Sequence, residues 1–139
     1  MKRILFACVG NSCRSQMAEG FARALGSDVL DVRSGGSVPT GSLHPLAVAV
    51  MWERHVDISA QSSKPIDAEF ARRADLIVTM GCGEDACPAF IGKRIADWDL
   101  EDPAGKRAEV FRRIRDDIER RVRALIEEAR TDGLVRVTA

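Results

Sequence analysis

The sequence has no tyrosine, only two histidines, no net charge and no long apolar run, and each shortage removes a class of function. The charge balance, 21 basic against 21 acidic residues, argues against a nucleic-acid protein, whose affinity comes mostly from a basic surface. A small anionic substrate stays open, because local charge decides that. No stretch approaches roughly 18 apolar residues, so no transmembrane helix and no membrane partner are expected. The start, Met1 to Val9, is basic then apolar, but the run is short and ends in Gly10-Asn11-Ser12-Cys13-Arg14, a poor signal peptide. No Walker A string occurs, which sets nucleotide P-loop chemistry aside. Internal repeats, low-complexity tracts and linkers are missing too. His44 and His55 lack paired ligand spacing. His44, before Pro45, reads as a loop or capping residue, and His55 as a helix end, where a cation is favoured. The expectation is one domain over residues 1–139, in the cytoplasm, with 45% apolar residues to build its core. Thiols in that compartment are mostly reduced, so the four cysteines read as catalytic, redox or metal-binding rather than as permanent staples.

What is present alternates between strand and helix patterns. Arg3–Ala7 reads as a buried strand. Gln16–Leu25 reads as a helix with Met17, Ala18, Phe21, Ala22 and Leu25 on one face, Ser15 as its cap and Gly26 as its stop. A second strand is expected over Asp28–Ser34, a helix over Pro45–Val56 and a short helix over Ile66–Arg73. Asp75–Met80 is the clearest central strand, and Lys93–Trp98 holds a shorter one. Ala108–Arg130 reads as a long helix with Val110, Ile114, Ile118, Val122, Leu125 and Ile126 inward and a solvated charged face. The pattern predicts an α/β fold, a four-stranded parallel sheet with helices on both faces. Ligands of such sheets bind beyond the carboxyl ends of the strands. The loops after Ala7 and Met80 should therefore open on one edge.

The segment Cys8-Val9-Gly10-Asn11-Ser12-Cys13-Arg14-Ser15 carries the chemistry. A cysteine at a strand end, a polar loop and an arginine where a helix begins make a site for a tetrahedral oxyanion. The N–H groups of Val9 to Arg14 would line it. Gly10 and Asn11 tolerate the left-handed backbone that turns successive N–H groups inward. Arg14 would grip two anion oxygens, Cys8 would attack as thiolate, and Ser15 would donate a hydrogen bond to that sulfur. Cys13 reads as a small residue whose N–H, not its sulfur, contributes.

Cys8, five residues, then Arg14-Ser15 near the N-terminus resembles the signature of the low-molecular-weight protein tyrosine phosphatases. The resemblance extends to Asp102-Pro103, because that family places its general acid in an Asp-Pro loop. Two further cysteines, Cys82 and Cys87, point to the family's thioredoxin-coupled arsenate reductases, to which Gly-Asn-Ser-Cys-Arg-Ser is itself closer. A phosphatase needs one cysteine, whereas reduction of an oxyanion needs two electrons, which a dithiol supplies. The resemblance implies the same fold and a relay. Cys8 attacks arsenate with proton transfer from Asp102, Cys82 attacks Cys8, Cys87 attacks Cys82, and a thioredoxin-like partner reduces Cys82–Cys87. It implies no tightly bound cofactor, an external thiol reductant, phosphate or sulfate as substrate analogues, and arsenic detoxification as the role. Gly81 and Gly83 fit a mobile segment around Cys82.

The residues leave alternatives open. Cys8/Cys13 and Cys82/Cys87 are both C-x4-C pairs, and four cysteines fit zinc, but zinc would occupy the thiol that the loop frees. A zinc-stabilised or oxyanion-sensing module is the non-enzymatic reading. A phosphomonoesterase with incidental thiols, or a reductase coupled to a small thiol with Cys87 passive, are the enzymatic ones. Aromatic residues wall the pocket in phosphotyrosine enzymes, whereas Ala104-Gly105 follows Asp102-Pro103 here and Trp52 reads as core. Some members of the reductase branch hold potassium through Asn, Glu, Ser and Asp. Asn11, Glu19 and Ser34 fit that set, but Lys64 stands at the aspartate, so no potassium dependence is expected.

Overall fold

Ile4, Leu5, Phe6 and Ala7 are apolar in succession, and a strand with apolar residues on both faces has to be covered on both. The computed structural model describes residues 1–81 and 88–138, with side chains up to position 132; Cys82 and Cys87 lie outside the described residues. The strand is β1, Lys2–Cys8. Helix α1 follows at Arg14–Gly26, then β2 at Leu30–Gly36, α2 at Pro45–Trp52, α3 at Ala68–Arg73 and β3 at Leu76–Met80. A 3₁₀ turn at Pro88–Phe90, β4 at Ile95–Asp97 and α4 at Ala108–Thr138 complete the order. The four strands form one parallel sheet in the order β2-β1-β3-β4.

Alternate residues of β1 feed two cores. Ile4, Phe6 and Cys8 join Met17 and Phe21 of α1, Met51 of α2, and Phe111, Ile118 and Val122 of α4. Leu5 and Ala7 face a smaller cluster with Phe70, Ala71, Ala74, Ile77 and Phe90. The predicted inner stripe of α4 is buried at Ile114, Ile118, Val122 and Ile126, and Phe111 extends it.

Three local expectations change. Ser15 is not the cap of α1: the helix starts at Arg14, its capping residue Cys13 makes no side-chain capping bond, and the Ser15 hydroxyl turns to Cys8 instead. Trp52 is not core but 62% exposed, because the buried stripe of α2 runs through Ala47, Val50 and Met51 and leaves the next residue outside. Helix α2 stops at Trp52 rather than Val56, so His55, at φ 61, lies beyond the helix end that was expected of it. His44 caps α2 as expected, its Nδ1 accepting from Leu46 N–H at 3.1 Å. Among the described residues no helix is long and apolar enough to cross a membrane.

The order of strands positions the site. The chain leaves β1 toward β2 on one side, while β3 lies on the other, so a crevice opens at the carboxyl end of β1. Cys8 is in register with Gly36 of β2 and with Met80 of β3. The loop after Cys8 and the exit from β3 at Gly81 thus share that edge.

Candidate active site

The loop from Cys8 to Arg14 is shaped by what its carbonyls bind. Ser37 N–H donates to Cys8 O at 3.2 Å, Val38 to Val9 at 2.9 Å, Thr40 to Gly10 at 3.0 Å and His44 to Ser12 at 3.0 Å. Gln16 Nε2 donates to Asn11 O at 3.0 Å, and Met17 N–H to Cys13 O at 3.0 Å. Every carbonyl from Cys8 to Cys13 is engaged outside the pocket. Across a planar trans peptide the N–H points opposite to the C=O, so the amides of the loop turn toward its centre. The Asn11 N–H does so visibly, donating to Cys8 Sγ at 3.2 Å.

The proton order around Cys8 follows from Asn11, which is fully buried with φ 49. Its Oδ1 accepts from the backbone N–H of Lys64 at 2.9 Å, which fixes the orientation of the amide. Its Nδ2 therefore donates to Ser15 Oγ at 2.8 Å and to Ser34 Oγ at 3.0 Å. Since Ser15 Oγ accepts from Asn11, its own hydrogen is free for Cys8 Sγ, 2.8 Å away. Two donors thus converge on the sulfur, the Asn11 backbone N–H and the Ser15 hydroxyl.

Arg14 is buried, with Nη1 donating to the Leu100 carbonyl at 3.2 Å. Its other arm reaches only 3.8 Å from Asp102 Oδ2, and Asp102 is exposed, so the guanidinium keeps charge to offer an anion. Asp102 is held as a turn by Ala104 N–H on Oδ1 at 3.1 Å, over buried Pro103. Cys8, Val9, Gly10, Ser12, Cys13, Arg14, Val38, Thr40, Asp102 and Ala104 together line a cavity of about 250 Å³. That is below the ~300–1,000 Å³ usual for drug-sized ligands, and among the described residues no aromatic side chain walls it. A larger cavity, about 310 Å³, lies at the opposite end of the sheet beside Lys2, Arg3 and Asp75, away from these groups. Burial pushes the Cys13 thiol up to about 11; Asp102 and Cys8 add to this, while Ser12 and Arg14 oppose it. Cys13 is a neutral thiol at pH 7.

Behind the loop, Ser34 Oγ donates to Glu19, and Lys64 Nζ lies 3.5 Å from Glu19 Oε1, 3.2 Å from Ser34 Oγ and 3.1 Å from Ser62 O. The residues here do not fit potassium, because the ammonium of Lys64 stands among the oxygens that would ligate it. Among the described residues no group of three or more His, Cys, Asp or Glu side chains could hold a metal ion. The four-cysteine zinc reading needs Cys82 and Cys87, outside those residues.

Sequence reasoning missed the second tier. Gln16 Nε2 donates to Asn11 Oδ1 and to Ser62 O, Gln61 Nε2 donates to Gln16 Oε1, and Ser63 Oγ donates to Gly10 O. Residues 37, 38, 40 and 44 hold the loop through their backbone N–H groups, which no residue type announces. Gln16 did carry a signal: it is a polar residue beside Met17 and Ala18 on a helix face that must be buried.

The family described as low molecular weight phosphotyrosine protein phosphatase matches residues 3–134. A glutaredoxin arsenate reductase of Synechocystis sp. is 44% identical over 128 residues, covering 91% of this chain and 97% of that protein. The solved structure of a thioredoxin-dependent arsenate reductase from Corynebacterium glutamicum superposes with a TM-score of 0.81 at 35% identity, over 95% of this chain and 63% of that one. An arginine phosphatase from Geobacillus stearothermophilus superposes with a TM-score of 0.84 at 28% identity, over 96% of each.

Proposed function

The chain belongs to the low molecular weight phosphotyrosine protein phosphatase family, and within it we propose that it is an arsenate reductase, a thiol-dependent oxidoreductase of arsenic detoxification. One observation carries the choice of reduction over hydrolysis: 44% identity to an arsenate reductase along nearly the whole of both chains. The phosphatase likeness is to the fold at lower identity. The pocket supports the choice, since among the described residues no aromatic side chain walls it.

Arsenate docks on the amides of residues 9–14, with Arg14 on two of its oxygens. Cys8 thiolate attacks arsenic, an arsenic–oxygen bond breaks, and Asp102 gives the leaving oxygen its proton. Ser15 stabilises the sulfur before attack and as it leaves. Cys82 thiolate then attacks Cys8 Sγ. The sulfur–arsenic bond breaks with both electrons going to arsenic, arsenite departs, and a Cys8–Cys82 disulfide remains. Cys87 attacks Cys82, releases Cys8 as thiolate and forms Cys82–Cys87, which an external dithiol of the thioredoxin or glutaredoxin kind reduces. No resident cofactor takes part. The single domain over residues 1–139 and a cytoplasmic site of action belong to the same reading.

Three serine variants test it, each assayed for arsenate reduction and aryl-phosphate hydrolysis. Cys8→Ser should lose both. Cys82→Ser should lose catalytic reduction and keep any hydrolysis. Normal reduction by Cys82→Ser with thioredoxin would sink the relay. Normal reduction by Cys87→Ser alone would favour a small-thiol donor.

A further inference from the structure

Gly81 ends the described part of the chain after β3, at φ 89. Read from sequence, it serves mobility. Its surroundings give it another task. A Cβ built there would lie 2.9 Å from Arg14 Nη1, 3.5 Å from Nη2 and 3.6 Å from Cζ. The bare Cα of Gly81 therefore flanks the guanidinium closely. Nη1 is tied to the Leu100 carbonyl and Nη2 looks toward Asp102, so Arg14 is confined between the exit of β3 and the 100–102 segment. A methyl at 81 presses on the far end of a long side chain, and the guanidinium is what yields.

We propose that Gly81 is a positioning residue for the oxyanion grip: it leaves room for Arg14 to lie where it takes two oxygens of the anion, and so sets oxyanion affinity. The inference rests on the reading of the Cys8 loop as an oxyanion site, which phosphate binding by the unaltered protein tests separately. The positive φ would strain any other residue, so strain and contact must be told apart. Gly92 supplies the control. It has φ 76, follows the 3₁₀ turn on the far side of the 82–87 segment, and would meet nothing within 4 Å.

The experiment titrates inorganic phosphate into wild-type protein, Gly81→Ala and Gly92→Ala, with arsenate kinetics alongside. Misplacing one arm of a bidentate charged grip should weaken phosphate binding about tenfold or more in Gly81→Ala. KM for arsenate should rise by a similar factor, with kcat changed less. Gly92→Ala should bind phosphate within about twofold of wild type, since it brings strain without contact. Unchanged phosphate affinity in Gly81→Ala, or an equal loss in Gly92→Ala, overturns the proposal. If wild-type protein binds no phosphate, the site reading itself fails instead. Should Gly81→Ala melt below the assay temperature, the Arg14→Ala background decides. The melting penalty of Gly81→Ala should shrink there, because the atom it strikes is gone, and an undiminished penalty refutes the contact.

Discussion

Replacing Lys64 by methionine removes a charge while keeping the aliphatic stem. Lys64 Nζ lies 3.5 Å from Glu19 Oε1, and the two side chains are 35% and 5% exposed. At an effective dielectric of about 20, that separation corresponds to roughly 4–5 kcal/mol of attraction. Desolvation offsets much of it, and Arg23, 3.0 Å from Glu19 Oε2, remains after the change. A net loss of about 1–2 kcal/mol is expected, or roughly 3–8 °C in melting temperature. Lys64→Asp should fall further, because it sets a second carboxylate beside Glu19. It should also gain a response to potassium, which is not expected of the wild type. At a dissociation constant on the order of 10 mM, 100 mM potassium would return about 1.4 kcal/mol. Thermal melts and arsenate turnover, in potassium, sodium or choline chloride at equal ionic strength, read both effects. Wild-type protein should not distinguish the salts. Activation of wild type by potassium over sodium would refute the reasoning, as would a Lys64→Met variant that melts like wild type.

Ser15→Ala removes one donor from the Cys8 sulfur, and loss of a charge-assisted bond worth about 1.5–3 kcal/mol should slow iodoacetamide capture of Cys8 at pH 7 by roughly 10–100-fold; an unchanged rate would refute the proton order. Cys13 titrates at about 11 in the fold against an ordinary 9.0, so the fold favours its neutral form. That contribution is complete below pH 9 and is lost as pH rises toward 11, and Cys13→Ser should flatten this alkaline decline relative to wild type in melts across that window. Burial would raise the Glu119 carboxyl, but hydrogen bonds from Arg54 and Arg123 outweigh it and hold the group below the usual range. Its contribution is present above the ordinary glutamate range and lost as pH falls through the depressed value. The stability gap between wild type and Glu119→Gln should therefore close in acid, and a gap independent of pH would count against the Arg54–Glu119 clamp.

The sheet and its helices were legible because their signals are local. An apolar run such as Ile4–Ala7 has no exposed face, and the 3.6-residue stripe from Ile114 to Ile126 has only one buried one. Cys8, Arg14 and Ser15 were legible because a strand end, a turn and a helix start bring them together with no long-range information. Trp52 was misread because helical spacing says which residues share a face, but not how far along the helix the neighbouring core extends. The zipper of 37–44 amides on the Cys8 loop was out of reach. Its donors are main-chain groups, and only the register of β1 against β2 places them there.

The step from anion loop to reductase depends on which strand neighbours β1. A thiolate beneath converging amides takes phosphate or arsenate alike, and nothing in the loop chooses between water and a second thiol as the next reactant. Register narrows the choice. Cys8 pairs with Met80, so the chain enters the segment bearing Cys82 from the residue beside the nucleophile, along the wall of Arg14. Had β4 been the neighbour of β1, that exit would lie a strand spacing further away, about 4.8 Å, more than twice the ~2.05 Å length of the bond to be made. For the proposed relay, the adjacency of β1 and β3 sets the start of the segment bearing Cys82, at Gly81, beside Arg14 and the anion site.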